Sequence, residues 1–194
     1  MKTDAGSARG RAYSMELRAA AAEATRERIL DAAADAFLEH WYDDVTIASV
    51  AERAGVSGQT VVNHFGGKEP LAMAAYDRLA EGIVGKRYAP AAGDIAALVE
   101  ALGGDYETTG DAVVRLLALE EKVPSLQPLL ARGRASHREW VESMFGAPEL
   151  TPELVVATDV YTWKLLRRDQ GLSRDETVAS ILKIVEALLE RRTR

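Results

Sequence analysis

The segment Thr46 to Lys68, TIASVAERAGVSGQTVVNHFGGK, constrains the fold more tightly than any other stretch, because each position that would cap or turn the backbone carries a residue suited to it. Thr46 is a good helix N-cap, and Ile47, Val50, Ala51 and Ala54 follow at helical spacing as one apolar stripe. Gly55 stands just past that stripe, where a left-handed residue ends a helix without steric cost, and Val56 is placed to plug the space between two helices. Ser57 caps the second helix, whose Val61 and Phe65 face back while Gln59, Thr60, Asn63 and His64 point outward. Small Ala51 allows two helices to cross at ~90 to 120° over a short turn. Ala51, Gly55 and Val61, spaced by four and then six, match the helix-turn-helix signature, with an ordinary helical hairpin as the alternative these residues alone leave open.

The flanking residues sharpen this reading. From Thr25 to Leu71 the chain resembles the N-terminal DNA-binding domain of TetR/AcrR family transcriptional regulators. The matching positions are Arg28, Ile29, Leu30, Ala32, Ala33 and Phe37 in a first helix, then Thr46, Ile47, Val50 and Ala51, the turn from Ala54 to Ser57, and Thr60, His64, Phe65, Lys68, Glu69 and Leu71. Two positions depart from the family pattern: Trp41 stands where a glycine is usual, and Val62 where a tyrosine commonly contacts the phosphate backbone.

The resemblance implies an all-α fold. A flexible basic arm over 1–21 would precede a three-helix helix-turn-helix domain over 22–84, joined by helix four to a C-terminal helical ligand-binding and dimerisation domain over 85–194. It implies a homodimeric, sequence-specific transcriptional regulator of the repressor kind, released from a palindromic double-stranded DNA operator by a small-molecule effector. The alternative is a TetR-like helical dimer that binds a small molecule or protein without reading an operator. That alternative is favoured by Val62, by a recognition helix with no Lys or Arg, and by a net charge of -6.

Composition excludes other classes. Zero cysteines rule out disulfides and thiolate chemistry, and the three histidines His40, His64 and His137 have no partners at metal spacing, so neither metal nor cofactor is expected. No apolar run is long enough for a membrane span and the N-terminus lacks a signal-peptide core, which predicts a cytoplasmic, nucleoid-associated protein. Gly66-Gly67-Lys68 is not a phosphate loop, because Val62 and Glu69 stand where that motif needs Gly and Ser or Thr. No nucleophile has a base at helical spacing: Ser136 and His137 are neighbours that point in different directions, so the chain is not expected to be an enzyme.

For DNA contact the candidates are Thr46, Ser57, Gln59, Thr60, Val61, Asn63, His64 and Lys68. Gln59 and Asn63 can pair with a base edge, Thr60, His64 and Lys68 suit phosphates, and Thr46 and Ser57 offer helix N-termini. Arg9, Arg11 or Arg18 of the arm could reach a minor groove, since four bases stand against two acids over Met1 to Arg18.

Beyond helix four, Gly85 to Gly93 reads as a joint. Helices are then expected from Ile95 to Leu102, ended by Gly103 and Gly104, from Asp111 to Lys122, from Leu126 to Phe145, from a Thr151 cap through Arg168, and from a Ser173–Glu176 capping box to Arg192. The apolar stripe of the last helix, Val178, Ile181, Leu182, Val185, Leu188 and Leu189, widened by Ile184, either closes the chain's own core or, as the resemblance implies, forms a two-fold four-helix interface with a second copy. The resemblance also implies a small-molecule pocket among the middle helices, with Tyr76, Tyr106, Leu117, Arg134, His137, Trp140, Met144 and Trp163 as its candidate lining.

Overall fold

The computed structural model describes residues 5–192, with side chains from Met15 to Arg191. Among the described residues the regular structure is helical throughout. The first four helices are α1 (Ala5–Glu39), α2 (Ile47–Ala54), α3 (Gly58–Phe65) and α4 (Lys68–Arg87). Then come α5 (Ile95–Leu117), α6 (Gln127–Met144), α7 (Thr151–Thr158), α8 (Val160–Lys164) and α9 (Arg174–Arg192), with single 3₁₀ turns leading into α6 and α7.

The expected arm is largely helix. Residues 5–21 continue α1 toward its N-terminus, and because Met15 to Ala24 are all exposed, no core holds them. Their alanine-rich composition, with Glu, Arg, Leu and Met, has the helix propensity to propagate from the packed half of α1. Arg18 is exposed on this extension, while the side chains of Arg9 and Arg11 lie outside the described residues.

Ile29, Ala33 and Phe37 are the packed face of α1, each at or near zero exposure. In place of the missing glycine, α1 closes by a turn in which Asp44 and Val45 donate to the Trp41 carbonyl at 3.1 and 3.3 Å, with no positive-φ residue there. Tyr42 stacks on Phe37 at 5.9 Å, and Trp41 is left 53% exposed with the Arg115 guanidinium over its ring.

The corner between α2 and α3 follows the caps. Thr46 Oγ1 accepts from Ser49 N and Ser49 Oγ accepts from Thr46 N, both at 3.0 Å. Gly55 at φ 66 ends α2, and Ser57 Oγ accepts from Thr60 N at 3.1 Å to open α3. Val50, Ala51 and Val61 are buried where the two helices cross.

Two corrections concern the second half. Gly103 and Gly104 do not end a helix, since α5 runs unbroken through them. A Cβ at Gly103 would stand 2.4 Å from Val178 Cγ2, so the glycine is there to let α9 lie against α5. Gly110 does the same for Trp163, whose ring carbons would be 2.5 to 2.9 Å from a Cβ.

The expected single helix from Thr151 to Arg168 is broken at Asp159, where ψ is 151°. Asp159 Oδ1 accepts from Tyr161 N at 2.8 Å, so its carboxylate recaps the chain as α8, a competition with helix that short acidic side chains are prone to win. Thr151 is the first residue of α7 and not its cap, with its hydroxyl donating to the Pro148 carbonyl at 2.9 Å. A wide turn over 165–169, closed by Gln170 N to Leu165 O at 3.0 Å, finishes the segment. The Ser173–Glu176 box forms as expected, with Glu176 Oε2 accepting from Ser173 N at 2.8 Å.

Buried side chains form two clusters. The first holds α1 to α4 together and also takes Leu116, Leu119, Leu126, Leu129 and Leu130 from the end of α5 and the start of α6. The second joins α5 to α9 around Trp140 and Trp163.

The glycine pair in α5 gives opposite expectations for one substitution. Gly110→Ala must push a fixed indole ring and should lower unfolding stability by about 1 to 3 kcal/mol. Gly104→Ala meets only the mobile Arg174 Nη2 at 3.9 Å. It should be neutral or stabilising by up to ~1 kcal/mol, the helix-propensity gain over glycine. Urea melts of both variants check this, and equal midpoints would show that Trp163 does not constrain position 110.

Candidate nucleic-acid interface and interior cavity

On α3, Val61 is fully buried against the first core and turns the opposite face to solvent. Gln59, Val62 and Asn63 are exposed, and Thr60 and His64 partly so. Gln59 Nε2 donates to Asn63 Oδ1 at 2.9 Å, which aligns the two amides and leaves Gln59 Oε1 as an acceptor and Asn63 Nδ2 as a donor. That donor and acceptor pair is the complement of an adenine edge.

Val61 leaves the candidate set, because its side chain is packing beneath the reading face and cannot touch a duplex. Thr46 and Ser57 stand exposed at the two helix starts, and Ser57 Oγ lies 2.9 Å from Thr60 Oγ1. Lys68 is half-buried, with Nζ 4.3 Å from the Tyr42 ring centroid and 3.5 Å from the Asp43 carbonyl that it faces as donor. The lysine therefore brings its charge to the base of the corner from a fixed position.

Between α4, α5, α6 and the α7–α8 break lies a cavity of about 460 Å³. Tyr76, Tyr106, Leu117, Arg134, His137 and Trp140, six of the candidate lining residues, line it. Met144 and Trp163 do not: Met144 is buried in the second core, and Trp163 is covered by Gly110 and sits 5.8 Å from the Tyr106 ring.

One wall is a hydrogen-bonded chain of polar groups. Arg87 reaches Asp105 Oδ2 from Nε at 2.9 Å and from Nη2 at 2.7 Å, and Asp105 is only 2% exposed. Arg87 Nη1 lies 3.1 Å from His137 Nδ1. A guanidinium only donates, so Nδ1 accepts and the imidazole carries its proton on Nε2. That N–H donates to Thr158 Oγ1 at 3.1 Å, and the threonine hydroxyl donates on to the Leu154 carbonyl at 2.7 Å. Tyr106 donates to the Thr158 carbonyl, freed by the helix break, at 3.0 Å, and Trp140 Nε1 donates to the Arg87 carbonyl at 3.0 Å. Burial pushes the phenols of Tyr76 and Tyr106 up to about 12, so both stay neutral donors.

Sequence reading missed Arg87 and Asp105. Arg87 has no distinguishing mark beside Lys86. Asp105 does: it falls at helical spacing in the stripe Leu98, Leu102, Thr109, Ala112 and Leu116, and a carboxylate on such a face demands a buried cation.

Burial, with the Arg87 charge second, lowers the His137 pKa from 6.5 to about 4. A depressed base binds its proton more tightly when unfolded, so its contribution is complete above about pH 6.5 and is lost as pH falls from there toward 4. Between pH 7 and pH 5 the loss should be on the order of 2 kcal/mol. His137→Gln should flatten the stability profile over that window in urea melts, and an unchanged slope would show that the histidine is free to protonate in the native state.

Comparison with known proteins agrees with this architecture. Residues 29–75 match the family model of bacterial regulatory proteins, tetR family. The HTH-type transcriptional regulator AlkX of Mycobacterium tuberculosis is 29% identical over 139 residues, which are 69% of this chain and 65% of AlkX. The HTH-type transcriptional regulator SrpR of Pseudomonas putida is 46% identical over 50 residues, 26% of this chain and 24% of SrpR. The chain thus spans less than two thirds of the length of either relative. A tetR-family transcriptional regulator from Streptomyces coelicolor has the same fold at a TM-score of 0.72 and 20% identity, over 87% of this chain and 81% of that one. The capped corner thus lies in a segment that matches the model of the tetR family of bacterial regulatory proteins, and the chain as a whole shares the fold of a tetR-family regulator.

Proposed function

We propose that this protein is a ligand-responsive, sequence-specific DNA-binding regulator that represses from a palindromic operator and is released by a small molecule. The observation that carries the reading is the polar face of α3: Gln59 and Asn63 exposed and aligned by their mutual hydrogen bond above a buried Val61. In this scheme α3 lies in the major groove, Gln59 and Asn63 read bases, and Thr60, His64 and Lys68 contact phosphates. Residues 22–84 act as the reader and 85–194 as the effector and dimerisation part.

Two-fold pairing would use the apolar strip left open on the last helices. Val156 is 67% exposed and Ile184 42%, and with Pro152 and Leu188 they line a shallow groove between α7 and α9. Burying this strip against its copy would set two α3 helices about one turn of DNA apart, ~34 to 36 Å. The link to the effector is α4, whose Tyr76, Leu79, Ile83 and Arg87 line the cavity while its start follows α3 directly. A ligand that shifts α4 changes the spacing of the readers. Ligand and operator then weaken each other equally, by roughly 1 to 3 kcal/mol.

A second reading, a TetR-like dimer without operator recognition, is favoured by one observation: Val62 presents an apolar patch, 37% exposed, in the middle of a face without Lys or Arg.

Fluorescence anisotropy on the DNA flanking the protein's own coding region separates the two. The full chain should bind a site there, and Asn63→Ala should lose about 1 to 3 kcal/mol on that site with little loss on unrelated DNA. Absence of binding by the folded dimer at low salt would leave the second reading.

A further inference from the structure

The ionisable acids and bases that line the cavity are Arg87, Arg134, His137, Arg138 and Asp159, and they do not balance. Arg87 is neutralised by Asp105 at 2.7 Å. Arg134 pairs with Glu120 through both guanidinium nitrogens, and Arg138 with Glu142 at 2.9 Å. His137 is held neutral, its Nδ1 occupied by Arg87 and its Nε2 by Thr158. Asp159 alone is left with its charge. Its Oδ1 accepts the backbone N–H of Tyr161, a cap that brings no cation, and among the described residues no ion pair reaches it. Its charge is felt inside the site: after burial, the largest influence raising the Tyr106 phenol is Asp159.

The rest of the lining is apolar and aromatic. Tyr76, Tyr88, Tyr106 and Trp140 offer ring faces, among aliphatic side chains from α4, α5 and α6. A neutral apolar guest would strip water from the Asp159 carboxylate and return nothing, and an anion would meet it at close range. A cation would supply the missing charge and gain from the ring faces as well.

We propose that the cavity selects a hydrophobic organic cation, with Asp159 as the residue that sets the charge preference. This rests on the reading of the cavity as an effector site and narrows it to one ligand class.

The test uses three probes of similar shape and different charge on the full chain: tetraphenylphosphonium, triphenylphosphine oxide and tetraphenylborate, titrated by calorimetry. The wild type should bind the phosphonium at least about tenfold more tightly than the neutral oxide, the equivalent of one charge-assisted contact, and the borate least. Asp159→Asn keeps the helix cap, because asparagine caps as well as aspartate, and removes only the charge. In that variant phosphonium binding should weaken about tenfold while oxide binding holds. Equal affinity for phosphonium and oxide, or a preference that survives Asp159→Asn, overturns the charge selectivity. If the oxide alone binds and still releases operator DNA, the effector reading stands and the cation proposal falls. If none of the three binds, both fall together.

Discussion

The arrangement of the helical half depends on one buried ion pair. Arg87 closes α4 and Asp105 sits near the middle of α5, and each would be intolerable in a core without the other. Breaking such a pair by removing one member leaves an uncompensated charge and costs about 3 to 5 kcal/mol. The pair does more than satisfy itself. Through Arg87 it fixes the His137 tautomer, through Thr158 it meets the frayed end of α7, and through the Arg87 carbonyl it holds the Trp140 indole. Four helices are therefore in register with one guanidinium. The far end of α4 is in this way anchored to the cavity wall while its near end abuts the reading corner.

The reading corner was legible in the sequence because its determinants are local. Thr46, Gly55 and Ser57 each act on backbone within four residues of themselves, and all three do in the fold what their chemistry predicts. The cavity was legible only in part. Aromatic and sulfur side chains signal that some apolar space must be lined, but Trp163 and Met144 face core while Trp140 and Tyr106 face the cavity, and that difference is set by helix rotation. The polar wall was hidden for another reason: its partners lie 18 and 50 residues apart along the chain, beyond any helical spacing.

The two misread helices teach a related point about glycine and aspartate. Gly103 and Gly104 look like a stop because glycine often is one, yet Gly103 records a neighbour, Val178, that lies too close for a methyl group. Asp159 looks like an ordinary helical position in a run of apolar residues, yet it ends one helix and starts the next. At Gly103 a distant neighbour settled what local propensity left open, and at Asp159 a local side-chain cap did. The break at Asp159 also shapes one wall of the cavity, since it frees the Thr158 carbonyl for Tyr106 and sets a carboxylate there.

The shared first core has an evolutionary consequence. Phe37 and Tyr76 pack in a cluster that α1 to α4 build and that five leucines from beyond α4 complete, so the part that would read DNA has an interior of its own but not a closed one. Cut from the rest, it would present an open greasy flank, and grafted onto a foreign sensor it would need that sensor to supply replacement leucines at the same places. Exchange of the N-terminal helices is therefore tied to the leucine seam that covers their open side.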